Sequence, residues 1–390
     1  MRPNRVAKGA SRYIVGEVES FDQKNEAFKR STWDPEIRHL AQGYYARYNG
    51  MQIPEEKDGY NIQDLALAMA GWHVALDFGS GLYIGNEGLE AWEAKPVGKT
   101  NTTRMPAGLK MEFNNSAEAA KIVKRAARLY GASLVGICEL DRRWLYSHSY
   151  HNMTRENKPV EIGEEYKYAI VMAHEMDYAG IQQAPNDIGE AAASTVYSRM
   201  AGVSAQLAQY IRGLGYKAIP TGNDTANSIP LAVDAGLGEL SRMGLLITPG
   251  YGPRVRLNKV FTDMPLEVDS PIEFGVWDFC MKCEKCAYTC PGQAIMRGKP
   301  TDKINNICNR EGLFRWPLDA EKCFGFLSRN GSDCGVCIRV CPFNKTPGVL
   351  HDWVRWGVKN TRWLDSLFVR VDDWLGYGKR GKTSDFWESN

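Results

Sequence analysis

Nine of the ten cysteines in this chain fall between Cys280 and Cys341, and only Cys138 lies outside that stretch. Dispersed cysteines would suggest disulfides, whereas clusters at short fixed spacing point to metal. Cys280, Cys283, Cys286 and Cys290, followed by Pro291, have the spacing C-x2-C-x2-C-x3-C-P. Three cysteines so spaced can wrap one corner of a cubane, while the fourth, followed by proline, turns away to another cluster. Cys334, Cys337 and Cys341, followed by Pro342, repeat the x2 and x3 spacings, with Cys323 displaced upstream as the remaining ligand. By the crossed pairing of two-cluster ferredoxins, one 4Fe–4S cluster takes Cys280, Cys283, Cys286 and Cys341. The other takes Cys323, Cys334, Cys337 and Cys290. Structural zinc also uses C-x2-C pairs, but it needs two of them and has no use for a Cys-Pro ending. Cys138 and Cys308 fall outside the pattern and read as ordinary thiols.

The rest of the composition excludes little. The chain has 390 residues, with 44% hydrophobic and 24% charged, as in a soluble globular protein of two or three domains. A net charge of +2 demands neither nucleic acid nor an anionic membrane. No apolar run reaches the ~18–20 residues that span a bilayer. The first residues lack an apolar signal core and a twin-arginine pair, so the expectation is a cytoplasmic protein or one whose leader has been removed. Eleven tryptophans and 18 tyrosines suit a packed core or an aromatic-lined pocket.

Asn115 and Glu118 read as a capping box opening a helix over 117–130, closed by Gly131. Leu134–Cys138 and Tyr168–His174 read as buried strands, and the polar stretch from Asp141 to Tyr166 as an insertion. A long helix is expected over 188–214, then a strand over 216–219 and a short helix over 230–235 stopped by Gly236. Strands follow over 245–248 and 255–262. This alternation argues an α/β or α+β core. From about Pro271 the chain turns to cysteines and glycines, and beyond Pro347 it turns aromatic and helical. The domains expected are 1–115, an N-terminal unit; 116–274, a core with an insertion at about 142–166; 275–346, the two-cluster unit; and 347–390, packing back on the core. No G-x-G-x-x-G follows a strand, so a dinucleotide terminus for the electron path is not indicated.

The second cysteine motif, with Phe343, Asn344 and Lys345 behind it, resembles that of reductive dehalogenases. So do the segments from Ala235 to Gly244 and from Ile247 to Leu257, and the tail from Asp373 to Gly378. The resemblance covers roughly residues 116–385 and implies an α+β fold. A nitroreductase-like α/β core would bind a corrinoid (cobalamin or related, base-off), with a ferredoxin-like two-cluster domain inserted. Electrons would pass through both clusters to cobalt, and a carbon-bound halogen would be replaced by hydrogen. The absence of a D-x-H-x-x-G motif agrees with the base-off form.

The resemblance also implies a tyrosine, an asparagine and an arginine around the upper face of cobalt, and the matching positions are Tyr197, Asn223 and Arg256. Replacing carbon–halogen by carbon–hydrogen takes two electrons and a proton. A phenol, with an ordinary pKa of ~10, holds its proton at pH 7 and can donate it. A guanidinium stabilises the tyrosinate that forms, and an amide can orient the substrate or donate to the departing halide. Taken singly, Tyr197 would be core, Arg256 a salt-bridge partner and Asn223 a turn residue; their joint match carries the reading. Tyr197, Asn223, Ala235, Gly236, Gly238 and Met243 are the expected corrinoid contacts. His174 reads as a packing residue or a support behind the site rather than a ligand, His148 and His151 as solvated, and Phe324, Phe326 and Leu327 as a wall between the second cluster and the pocket.

The partners implied are a small organohalide, a low-potential electron donor and a small integral-membrane anchor protein, with no nucleic acid; a homodimer is compatible. The expected location is the outer (periplasmic) face of the cytoplasmic membrane, or the cytoplasm if Met1 is native. Two other readings stand beside this one: an epoxyqueuosine reductase-like tRNA-modifying enzyme, and a non-catalytic two-cluster electron carrier.

Overall fold

The computed structural model describes residues 3–79, 88–93, 105–106, 108–346 and 348–388. The glycine-rich end of the first 115 residues, Met1 and Pro347 lie wholly or mostly outside these. The first well-marked helix is Ser116–Tyr130. Asn115 caps it by accepting from the Glu118 N–H, and Gly131 closes it at φ 119°. The box is offset by one residue, because the Glu118 carboxylate accepts from Asn114 rather than from Asn115. Ala119, Val123 and Ala126 face the core, as the 3.6-residue period requires.

Four antiparallel strands form the central sheet, in the order Leu134–Glu139, Tyr168–Glu175, Val255–Thr262, Ala218–Thr221. Side chains alternate across it. Val135, Ile137, Ile170, Met172 and Val260 meet the Ser116–Tyr130 helix and the long helix Asp187–Gly213. Cys138, Val171, Leu257 and Phe261 meet the short helix Ser228–Asp234 on the other face. This α+β core sits beside a ferredoxin-like unit that carries the cysteine motifs.

Most elements lie within two residues of the sequence reading, and the departures have local causes. The strand expected at 216–219 runs over Ala218–Thr221 instead. Tyr216 is still in the turn that ends the long helix, its N–H bonded to the Ile211 carbonyl. The strand expected at 245–248 shrinks to Leu246–Ile247, because Thr248 turns back to bond Gly252. The stretch from Asp141 to Tyr166 is no solvated insertion. Trp144, Tyr146 and Tyr150 are buried in it, and Tyr146–Tyr150 pairs with both Asn157–Pro159 and Phe21–Asp22. Accordingly His148 and His151 are half-buried rather than free in solvent.

The early residues spread over several parts of the molecule. Asn4–Arg5 pairs with Ile272–Glu273, and Arg12 reaches buried Glu239. Helix Ile62–Asp77 lies along the long helix at very close range. Ser194 donates to the Ala68 carbonyl and Ser198 to that of Gly71. A Cβ at Gly71 would come 2.1 Å from Ser194 Oγ, so only glycine permits this approach.

Candidate active site and cysteine centres

The long helix carries Tyr197 two turns beyond Glu190, and the close approach at Gly71 brings Trp72 onto it. The two rings stack with centroids 5.0 Å apart and planes 23° apart. The Trp72 indole donates to Glu190 Oε1 at 2.9 Å. Arg256 projects from the sheet face that meets the long helix, and its guanidinium carbon lies 5.3 Å from the centre of the Tyr197 ring. Asn223, just beyond the strand Ala218–Thr221, donates from Nδ2 to the Tyr197 hydroxyl at 3.2 Å. The three residues read from the sequence therefore meet at one place. Tyr197 is half-buried and Asn223 exposed, so the phenol opens to the surface. Arg256 Nε is buried and finds no hydrogen-bond partner among the described residues, which leaves a donor for a bound group.

Below Tyr197, His174 and Asn258 fix the strand to the helix. His174 Nε2 donates to Asn258 Oδ1 at 2.9 Å, and Asn258 Nδ2 donates to the Met200 carbonyl at 2.7 Å. Burial pushes the His174 pKa down to about 4. It is a packing residue, as read.

Glu190 is the buried centre beside this site. Arg47 Nη1 lies 2.6 Å from it, and Ser332 and the Asp333 N–H donate to its other oxygen. Burial, then the neighbouring Asp333 charge, raises its pKa to about 7. Ser332 and Asp333 directly precede Cys334, so Glu190 ties the tyrosine helix to the second cysteine set.

All ten cysteines are free, and the eight of the two motifs stand in two fours. Cys280, Cys283, Cys286 and Cys341 line one cavity together with Arg242, Met243 and Phe279. Cys290, Cys323, Cys334 and Cys337 neighbour one another in a second group. Burial first, then the neighbouring thiols, pushes Cys323, Cys334 and Cys337 up to about 12. Buried thiols packed together resist becoming thiolates unless a cationic centre stands among them. Cys337 packs in the same apolar cluster as Tyr197, and the Arg256 charge slightly opposes the rise that burial causes in its pKa. Cys138 is buried in the core, and Cys308 lies against Arg30.

Other expected contacts stand elsewhere. Ala235, Gly236 and Gly238 belong to the segment after the short helix, on the sheet face opposite the long helix. A Cβ at Gly236 would meet the Ser270 carbonyl at 2.4 Å, and at Gly238 the Ile247 carbonyl at 2.1 Å. At these glycines the absent Cβ makes room for the chain's own backbone. Met243 lines the first cysteine cavity. Phe324 and Leu327 are not a pocket wall, because they pack on Ala27 and Tyr44 from the N-terminal segment.

Two buried arginines in the family-like segments were not read as functional. Arg242 donates to the Cys280, Met296 and Gly298 carbonyls. Arg254 holds Asn344 Oδ1 at 3.0 Å and Glu175 on its other side. They clasp the two cysteine motifs to the sheet. Trp72, Glu190 and Arg47 were missed altogether, since no spacing links them to the motifs.

Sheet, long helix and paired cysteine fours together define an iron–sulfur protein, and the 4Fe-4S dicluster domain family matches residues 279–345. The tetrachloroethene reductive dehalogenase of Sulfurospirillum multivorans is 37% identical over 92% of this chain and 76% of its own length. The chain belongs to the reductive dehalogenase family, oxidoreductases that act on organohalides. The tetrachloroethene reductive dehalogenase of Desulfitobacterium hafniense is also 37% identical, over 69% of this chain and 56% of its own. A solved reductive dehalogenase, described as suggesting a mechanism for B12-dependent dehalogenation, superposes with a TM-score of 0.72 at 25% identity. That match covers 97% of this chain and 49% of the other, so this chain spans about half of that protein's length.

Proposed function

We propose that this chain replaces a carbon-bound halogen by hydrogen in a small organohalide, with Tyr197 as proton donor. The observation that carries the reading is the Tyr197 phenol, held at its oxygen by Asn223, faced by Arg256 and packed in one cluster with Cys337. Cys280, Cys283, Cys286 and Cys341 would hold one 4Fe–4S cluster, and Cys290, Cys323, Cys334 and Cys337 the other, supplying single electrons from a low-potential donor. A base-off corrinoid facing Tyr197 and Asn223 would supply the reducing cobalt, in keeping with the B12-dependent relative.

The reaction consumes two electrons and one proton and releases halide. Tyr197 gives its hydroxyl proton to the carbon that loses the halogen. Arg256, over the ring, offsets the negative charge left on the phenolate. Asn223 keeps the hydroxyl in place, and Trp72 fixes the plane of the ring. Among the described residues no helix is long and apolar enough to cross a membrane. Attachment to the outer face of the cytoplasmic membrane would therefore go through a separate small anchor protein.

The test is Tyr197→Phe, assayed with a low-potential dye as donor alongside iron and cobalt content. Metal content should stay at the wild-type level, while dehalogenation falls ~100- to 10,000-fold, as for a lost general acid. Arg256→Leu should slow turnover with cofactors in place, and Asn223→Ala should hurt less. A fully loaded Tyr197→Phe protein working at the wild-type rate would falsify the proton-donor assignment.

A further inference from the structure

We propose that Lys259 and Ser228 are positioning residues, which set the direction of a hydrogen-bond chain so that the Tyr197 proton stays free for the reaction. The inference rests on the reading of Tyr197 as proton donor. It starts from Lys259, which is fully buried on the same strand as Arg256 but on the opposite face of the sheet. Its ammonium donates to the Gly222 carbonyl, to the Ala226 carbonyl at 3.3 Å and to Ser228 Oγ at 3.0 Å. Those three acceptors flank and span the loop that carries Asn223.

A lysine ammonium has three donors and no acceptor. Ser228 Oγ must therefore accept from Lys259, which leaves its own proton for Asn223 Oδ1, 3.3 Å away. With Oδ1 so engaged, the Asn223 amide is pinned and must turn Nδ2 toward Tyr197. The Tyr197 oxygen is then an acceptor, and its O–H points away from the amide. A free asparagine could equally present Oδ1 and take the phenol proton as a hydrogen bond, which would hold it back from the substrate. The charge on Lys259 selects between the two orientations. Asp224, Glu26 and Glu90 surround the lysine and oppose the fall in its pKa that burial causes, to about 8. The ammonium thus prevails at neutral pH. One strand serves the tyrosine twice, with Arg256 acting on the ring and Lys259 acting on the hydroxyl through the loop.

The primary variants are Ser228→Ala, which removes the link, and Ser228→Thr, which keeps the hydroxyl. The first readout needs no bound corrinoid. It is the C–O stretching band of Tyr197 by infrared spectroscopy of protein with labelled tyrosine, each variant minus its Tyr197→Phe counterpart. Wild type and Ser228→Thr should give the band of a hydrogen-bond-accepting phenol, and Ser228→Ala should move it toward that of a donating one. Lys259→Gln, whose amide can also accept, should move it the same way. The second readout is turnover of the loaded enzyme. For Ser228→Ala, kcat should fall about tenfold, the scale of one hydrogen bond, with KM, iron and cobalt unchanged, and Ser228→Thr should restore it. A Ser228→Ala band identical to the wild type overturns the proposal. Should Tyr197→Phe work at the wild-type rate, the proton-donor reading fails by itself, and the band still reports whether Ser228 directs the chain.

Discussion

Trp72 touches Tyr197 with its ring and Glu190 with its N–H, so two substitutions separate the roles. Trp72→Phe keeps an aromatic face but leaves Glu190 without that donor, and should cost about 1–3 kcal/mol of stability. Trp72→Ala also empties the space against the phenol. It should cost roughly 3–5 kcal/mol and lower kcat more than KM, because the ring it releases is the proposed acid. Thermal unfolding and steady-state kinetics on the two variants check this. Equal kinetics for both would assign the stacking no part in turnover. His174 offers a pH test at the same scale. Its folded pKa of about 4 lies below the ordinary 6.5, so between those values the unfolded chain binds the extra proton. Stability from this group is present above pH 6.5 and is lost as pH falls toward 4, by about 3 kcal/mol in all. His174→Gln keeps an amide to donate to Asn258 and removes the titration. Its unfolding temperature should therefore decline less than that of the wild type over that window. Parallel declines would show that His174 is not buried in its neutral form.

At the scale of elements, what could be read from the sequence was whatever left a local signature. The Ser116–Tyr130 helix announces itself through its cap and its alanine face. The cysteine fours follow from x2 and x3 spacings, including the exchange of Cys290 and Cys341 between groups. Tyr197, Asn223 and Arg256 were placed by resemblance, since nothing in their own neighbourhoods distinguishes them from core, turn and strand residues. The packing of Ile62–Asp77 against the long helix was not legible. It depends on one glycine meeting one serine far along the chain, and the Trp72 contact depends on it in turn. The stretch from Asp141 to Tyr166 misled because serines and a histidine separate its buried aromatics, so the run reads as polar although Tyr146–Tyr150 is the middle strand of a three-stranded sheet. The helix contact makes its own prediction. Gly71→Ala drives a methyl against Ser194 Oγ, 2.1 Å from the ideal Cβ, and should cost about 1–3 kcal/mol of overpacking. Ser194→Gly on the same chain should recover part of it. If the double variant is no more stable than Gly71→Ala alone, the two helices do not meet at this pair.

The whole molecule is closed by its C-terminal tail, which returns to the first cysteine four. Asp372 lies 2.5 Å from Lys285 and 2.8 Å from Lys345, and all three side chains are nearly buried. Lys285 sits between Cys283 and Cys286, and Lys345 lies four residues beyond Cys341, so one carboxylate joins both sequence motifs that contribute to that four. Opposite it, Arg242 grips the Cys280 carbonyl from the core side. The first four is thus held from two sides by buried charges, whereas the second leans on the long helix through Glu190. Removing one partner of a buried ion pair leaves the other charge uncompensated, which typically costs roughly 3–5 kcal/mol. Here Asp372→Ala strands Lys345 and leaves Lys285 only the exposed Asp373, at the point where four thiolates must gather. The expected result is selective loss of one cluster, from about eight irons per chain to about four. Asp372→Asn, which keeps an acceptor oxygen, should lose less. Cys334→Ala supplies the contrast, since it should also leave about four irons but spare the tail and its unfolding temperature. Iron analysis with low-temperature spin resonance of the reduced protein distinguishes the two, because each variant retains a different single cluster. An Asp372→Ala protein with its full iron and an unchanged unfolding temperature would mean that the tail packs on the first four without holding it.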